Sequence, residues 1–114
     1  MKFDRSQPCS KCPFRRESVP GWLGGHPPQD LVAVVLRDGA WPCHQTHDGM
    51  SFEAARQHPR VQHCGGAAAF ANNLSKVSRD PEVAKHQRLV GKRADVFGLP
   101  QEFIDHHTLA EPVE

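Results

Sequence analysis

Four cysteines constrain the fold of this chain more than any other feature of its sequence. They follow the pattern C-x2-C-x30-C-x20-C, in which Cys9 and Cys12 form a close pair and Cys43 and Cys64 each stand alone. The short C-x-x-C loop brings two sulfurs to the same side, so both can bind one metal centre without strain. The two isolated cysteines must reach that centre through the fold. We therefore expect the chain to fold around one metal centre bound by Cys9, Cys12, Cys43 and Cys64.

The rest of the composition supplies little hydrophobic core. Of the 114 residues, 24 are Leu, Ile, Val or Phe and 19 are Pro or Gly. Chains with less than about 20% of those four apolar types often fail to fold unaided, and this chain lies close to that limit. Its length suits one domain, spanning residues 1–114. We expect metal binding to be part of the folding of that domain.

Proline and glycine divide the chain into a loop-rich N-terminal segment and a helical remainder. Residues 1–28 contain five of the ten prolines and no sustained apolar period, which indicates loops and turns. Beyond them, capping residues and apolar spacing predict five helices. These are a helix from Pro28 that ends before Gly39, one capped by Ser51 that runs to about Gln57, and helices over Ala67–Val77, Pro81–Val90 and Gln101–His106. The sequence thus predicts a mostly α, small, irregular domain.

The residues beside the cysteines favour an iron–sulfur cluster of the [4Fe–4S] type. Structural zinc is usually bound by two close ligand pairs, whereas here one pair is joined by two isolated cysteines. Three of the cysteines adjoin a proline, as in ferredoxin-type ligation. Gly65 and Gly66 follow Cys64 at a predicted helix start, where backbone N–H groups stabilise a thiolate and glycine permits close approach. A thiolate-bound cluster is anionic, and the nearby Lys11, Arg15 and Arg16 could offset its charge. Zinc is the alternative metal.

Other chemistries fit the sequence less well. If one cysteine is not a ligand, His44 or His47 is the expected substitute, while His26, His58 and His86 are predicted to lie in loops or on the surface. A thiol oxidoreductase needs its C-x-x-C at the start of a helix, and Pro13 argues against one there. Hydrolysis at zinc requires an open coordination position, and four cysteine ligands would leave none. We expect no catalytic residues, and a small thiol or iron–sulfur redox enzyme remains a further alternative.

Three sequence blocks carry a family resemblance. The blocks are Cys9-Ser10-Lys11-Cys12-Pro13-Phe14-Arg15-Arg16, Pro42-Cys43-His44-Gln45-Thr46 and Cys64-Gly65-Gly66. Together they resemble a family of small phage- and bacterium-encoded proteins of unassigned function. That family has a C-x-x-C-P-[FW]-R opening, a central P-C-H and a later C-x-G. The resemblance covers about residues 8–72 and implies that the four cysteines form one functional set. It supplies no reaction.

Charge is distributed unevenly along the C-terminal third. Residues 76–93 carry a local charge of +4, and the acidic segment 94–114 carries −5, within a chain of formal charge +1. The basic stretch is the one plausible nucleic-acid surface, with Lys85, Arg88, Lys92 and Arg93 as its phosphate contacts, although the acidic segment could cancel its field. The aromatic residues Phe14, Trp22, Trp41 and Phe97 are expected in the core rather than as base-stacking surfaces.

The sequence also limits location and partners. It contains no apolar run long enough to span a membrane and no signal peptide at its N-terminus, so we expect a cytoplasmic protein. A reducing cytosol favours thiolate metal sites over structural disulfides. We expect an iron–sulfur protein with a binding, regulatory or redox-sensing role, a protein or nucleic acid as partner, and no small-molecule substrate. A zinc-stapled interaction module is the alternative.

Overall fold

The regular structure of the chain is α-helical, with short bridges in place of a sheet. The computed structural model describes residues 1–21, 23, 26–37, 41–43 and 51–108. Within these ranges the helices are α1 (Pro28–Leu36), α2 (Phe52–Gln57), α3 (Gly65–Asn73), α4 (Pro81–Val90) and α5 (Pro100–Thr108). The mostly α prediction is confirmed. None of these helices is long and apolar enough to cross a membrane.

Local capping places the helix starts close to where the sequence predicts them. α1 begins with Pro28 at its first position. The Ser51 hydroxyl accepts a hydrogen bond from the Ala54 N–H at the start of α2. The Asp80 carboxylate accepts from the N–H groups of Glu82 and Val83 at the start of α4. These side chains satisfy backbone donors that have no partner within the helix.

The predicted bounds of α3 and α5 are wrong. α3 begins at Gly65 rather than Ala67 and ends at Asn73 rather than Val77. It ends early because Ser75 adopts a positive φ of 57°, and Val77 is consequently 73% exposed. α5 begins at Pro100 and continues to Thr108, beyond the predicted end at His106. The predicted stop of α1 at Gly39 lies outside the described residues.

Phenylalanine rings join the N-terminal segment to the helices. α3 packs against α1 and α4, and α1 also packs against α5. The Phe14 ring lies 4.9 Å from that of Phe103 and 5.4 Å from that of Phe70, measured between centroids. Phe14, Phe97 and Trp41 are buried, as predicted, whereas Trp22 lies outside the described residues. Phe14 thus anchors the loop-rich segment in the core two residues after Cys12.

Backbone pairing brings together two cysteines that are distant in sequence. The Cys43 N–H donates to the Gln62 carbonyl over 2.8 Å, and the Cys64 N–H donates to the Trp41 carbonyl over 2.7 Å. On the other side of this segment, the Lys2 N–H donates to the Val61 carbonyl over 2.7 Å. Residues 61–64 therefore lie between the start of the chain and residues 41–43, and α3 begins directly after them.

Candidate metal centre

The C-x-x-C loop is a turn held by the side chain of Arg15. The Cys12 N–H donates to the Cys9 carbonyl over 3.2 Å. The Arg15 guanidinium donates to the carbonyls of Cys9 and Pro8 over 2.6 and 2.7 Å, and it pairs with the Asp95 carboxylate over 2.7 Å. Arginine can make these bonds at once because its donors form a rigid planar fork. The turn is therefore fixed to the segment that follows α4.

Two glycines allow this turn to pack directly on the start of α3. The Sγ atoms of Cys12 and Cys64 are 3.6 Å apart, and both residues are buried. A Cβ atom added at Gly66 would lie 2.0 Å from the Cys12 sulfur, and one added at Gly65 would lie 2.5 Å from the Gln7 carbonyl oxygen. Only glycine fits such approaches. The absent Cβ of Gly66 thus leaves the space in which the Cys12 sulfur lies.

Cys9 links this buried pair to Cys43. A hydrogen bond from the Cys12 thiol lowers the pKa of Cys9 to about 6, against the opposing effect of burial. The Lys11 backbone and the Cys43 thiol also donate to Cys9, and the Arg5 charge acts in the same direction. Side chains of all four cysteines are therefore neighbours in the succession Cys43, Cys9, Cys12, Cys64.

The protein environment separates the pKa values of the two innermost thiols. Burial raises the pKa of Cys12 well above its ordinary value, and its contacts with Cys64 and Cys9 act in the same direction. The pKa of Cys64 is lowered, first by the hydrogen bond from Cys12 and then by the backbone N–H groups of Ala67 and Gly66. These groups lie in the first turn of α3, so the helix start favours a thiolate at Cys64.

The described residues contain no group of three or more His, Cys, Asp or Glu side chains that could hold a metal ion. A four-cysteine metal centre is therefore not shown, although the four predicted ligands are neighbours. The donor set itself suits zinc or an iron–sulfur cluster, because thiolates are soft ligands. The predicted substitute ligands His44 and His47 lie outside the described residues.

The sequence prediction for His86 is wrong, because this residue is buried rather than exposed. Its Nδ1 lies 2.6 Å from Nδ1 of His63, and its Nε2 lies 2.5 Å from the Arg5 carbonyl oxygen. The carbonyl can only accept, so Nε2 of His86 carries the proton and His63 donates through Nδ1. Burial lowers the pKa of both residues, that of His63 to about 3. The pair connects residues 1–5 to α4. In the sequence, His86 lies three residues after the buried Val83, and this helical spacing is the signal that could have predicted its burial.

The basic and acidic stretches interact in part. Lys85, Arg88 and Lys92 are exposed, whereas Arg93 pairs with Asp95 over 2.9 Å. The Glu102 carboxylate pairs with Arg16 over 3.3 Å. Residues 109–114 lie outside the described residues.

Comparisons with protein families, curated proteins and solved structures find no significant match. The resemblance of the three cysteine blocks to a phage and bacterial family therefore stays a prediction.

Proposed function

We propose that this protein binds one iron–sulfur cluster, of the [4Fe–4S] type, through Cys9, Cys12, Cys43 and Cys64. The observation that carries the proposal is a succession of pairwise cysteine contacts, from Cys43 through Cys9 and Cys12 to Cys64, which joins three separate chain segments. Cys12, Cys43 and Cys64 are buried, and a purely structural buried thiol has no need of another cysteine beside it. In the cytoplasm, such a set of free thiols commonly binds metal.

The succession of thiol pairs supports a cluster rather than a single ion. In a [4Fe–4S] cluster each thiolate binds its own iron, so the four sulfurs need not converge on one atom. A cluster is anionic, and the N–H groups at the start of α3 and the nearby Arg5 and Arg15 would stabilise that charge.

Zinc is the second candidate, and the Cys12–Cys64 distance favours it. Tetrahedral zinc has Zn–S bonds of about 2.3 Å, which place neighbouring sulfurs about 3.8 Å apart. The observed separation of 3.6 Å is close to that value. The two candidates use the same four residues and differ in the presence of inorganic sulfide.

The role that we propose for the centre is to hold the N-terminal segment, residues 41–43 and α3 together. These segments have few large apolar side chains of their own, and metal binding would contribute to their folding. Loss or oxidation of a cluster would then loosen all three, which suits a regulatory or redox-sensing protein. In this proposal the protein acts through a macromolecular partner.

Metal analysis tests the proposal directly. Protein purified without oxygen should be brown and contain iron and acid-labile sulfide in about equal amounts, near four of each per chain. Each of the four Cys→Ser variants should lose both elements. Zinc at one per chain without sulfide would establish the second candidate. Protein purified without oxygen that contains neither iron nor zinc would reject the four-cysteine centre.

A matched variant separates ligand loss from general damage to the turn. Ser10 is exposed and lies between the two close cysteines. Ser10→Ala should keep the full metal content because its side chain is not a predicted ligand. If it loses as much metal as Cys12→Ser, the cysteine variants do not identify ligands.

A further inference from the structure

A shallow surface concavity of about 360 Å³ brings together cations from two separate parts of the chain. Arg16 follows the cysteine turn, whereas Lys92 and Arg93 follow α4. None of the residues lining this concavity is Asp or Glu. Asp95 and Glu102 pair with its two arginines from outside the lining. The carboxylates thus orient the guanidinium groups, and Lys92 adds a further positive charge.

The backbone around Lys92 is fixed by two consecutive asparagines at the end of α3. The Asn72 side-chain amide donates to the carbonyls of Gln87 and Gly91 over 2.7 and 2.8 Å. The Asn73 amide donates to the Arg93 carbonyl over 2.8 Å and accepts from the Arg93 N–H over 3.1 Å. The loop is therefore preorganised on both sides of Lys92, which reduces the entropy lost when it binds a ligand.

Two further cations lie on α4, where Lys85 also lines a second concavity that contains Asp4 and Glu82. Lys85 and Arg88 are exposed and three residues apart, so they lie on one face of the helix. Neither these two residues nor Lys92 has an ion-pair partner within the described ranges. α4 ends at Val90, and Gly91 has a positive φ of 73°, so Lys92 lies in the loop beyond the helix. Exposed cations on both the helix and this loop suit several backbone phosphates rather than one free anion.

We propose that this surface binds the phosphate backbone of a double-stranded nucleic acid. The large exposed apolar side chains of the described residues are aliphatic, which offers no ring for base stacking. Single strands are usually bound by such stacking, whereas a duplex presents a higher density of phosphate charge. Cationic side chains that contact phosphates fix position without reading sequence. The expected binding is therefore independent of sequence and sensitive to salt.

Fluorescence anisotropy with a labelled 20-base-pair DNA of mixed sequence tests this inference, on protein that retains any metal it binds. Wild-type protein should bind the duplex at low salt. Arg88→Ala and Lys92→Ala should each weaken binding about tenfold at about 50 mM salt and flatten the plot of log K against log salt by about one unit. Both side chains are exposed, so circular dichroism of the variants should match the wild type.

Matched variants and other anionic probes test whether binding is specific to this surface and to a duplex. Arg37→Ala removes an exposed cation after α1 and should leave duplex affinity unchanged, whereas Lys92→Arg should retain it. The single-stranded form of the same DNA, inorganic phosphate and polyglutamate should bind more weakly than the duplex. The proposal would be overturned by the absence of duplex binding or by unchanged affinity in both alanine variants. Equal affinity for the single strand or tighter binding of polyglutamate would also overturn it. Metal content is measured in the same samples, so failure of this surface is distinguishable from failure of the cysteine centre.

Discussion

Arg15 and Asp95 join the cysteine turn to the loop after α4 through a contact of 2.7 Å between Nη1 and Oδ2. The same carboxylate accepts from Arg93, whose side chain lines the basic concavity. These arginines lower the pKa of Asp95, with the hydrogen bond from Arg93 as the largest cause. One carboxylate thus contacts both the residue that holds the C-x-x-C turn and a residue of the proposed phosphate surface.

Arg15→Lys should destabilise the turn although it keeps the charge. A lysine ammonium cannot reproduce the planar fork that bonds the carbonyls of Pro8 and Cys9 together with Asp95. Leaving such partly buried carbonyls unpaired costs about 1–2 kcal/mol of unfolding free energy, measurable by urea denaturation. Arg88→Lys is the matched control, because Arg88 is exposed and makes no ion pair within the described ranges. Equal stability of the two variants would contradict this role of Arg15.

Gly66→Ala should disrupt the approach of the cysteine turn to α3. The added Cβ would lie 2.0 Å from the Cys12 sulfur and 3.0 Å from Cβ of Phe14, which itself packs in the core. Overpacking of this kind typically costs about 1–3 kcal/mol, and we expect a loss near the upper end together with lower metal content. Thermal unfolding and metal analysis measure both effects.

Gly98→Ala is the control for that substitution. A Cβ at Gly98 would meet its nearest atoms, on Arg16 and Glu102, at 3.6 and 3.9 Å, which is ordinary van der Waals contact. We expect little change in its unfolding temperature. A Gly66→Ala protein as stable and as metal-loaded as Gly98→Ala would show that Cys12 is not held against α3.

The sequence predicts the helical parts of the fold better than their ends. Start signals such as Ser51 and the Asp80–Pro81 pair act locally, so they identify α2 and α4 without knowledge of the tertiary structure. α3 ends instead at the positive φ of Ser75, where the side chains of its last two residues, at positions 72 and 73, bond carbonyls of residues 87–97. A tertiary contact of this kind has no local signal.

At the candidate site, too, some features have a local sequence signal and others depend on tertiary contacts. The C-x-x-C spacing and the Gly65–Gly66 pair are local: the first places Cys9 beside Cys12, and the second leaves the space in which the Cys12 sulfur approaches Cys64. The roles of Arg15 and of the His63–His86 pair come from residues that are far apart in sequence, including a bond from Arg15 to Asp95. No spacing rule within one segment identifies such partners.

Removal of the metal should expose the cysteine turn before it exposes α4. If the centre holds residues 9–12 against residues 41–43 and α3, the loss of metal binding free energy will loosen these segments. Trypsin should then cleave after Lys11, Arg15 and Arg16 faster than in the metal-bound protein. Cleavage after Lys85 and Arg88 in α4 provides the internal comparison, followed by mass spectrometry. Unchanged cleavage in the turn after complete removal of metal would contradict a stapling role.

Acid should destabilise the protein in part through His107. This buried residue accepts a hydrogen bond at Nδ1 from the Gly21 N–H over 2.9 Å and donates from Nε2 to the Pro13 carbonyl over 2.9 Å. Protonation would place a second N–H group opposite that of Gly21. Burial is the main cause that lowers the pKa of His107 below its ordinary value of 6.5, the hydrogen bond to the Pro13 carbonyl opposes it, and the charge of His106 acts in the same direction as burial.

The direction of the pH effect follows from proton uptake. Below pH 6.5 the unfolded chain protonates this histidine while the folded chain keeps it neutral, so the unfolding free energy falls as the pH falls toward the lowered pKa. Urea denaturation between about pH 7.5 and 4.5 should show a shallower decline for His107→Gln than for the wild type, whatever the stability of the variant at the upper pH. His26→Gln, at an exposed position, controls for the loss of an imidazole. Parallel curves for wild type and His107→Gln would mean that His107 takes up its proton equally well in the folded and unfolded chains, and that neither its burial nor the bond from Gly21 favours its neutral form.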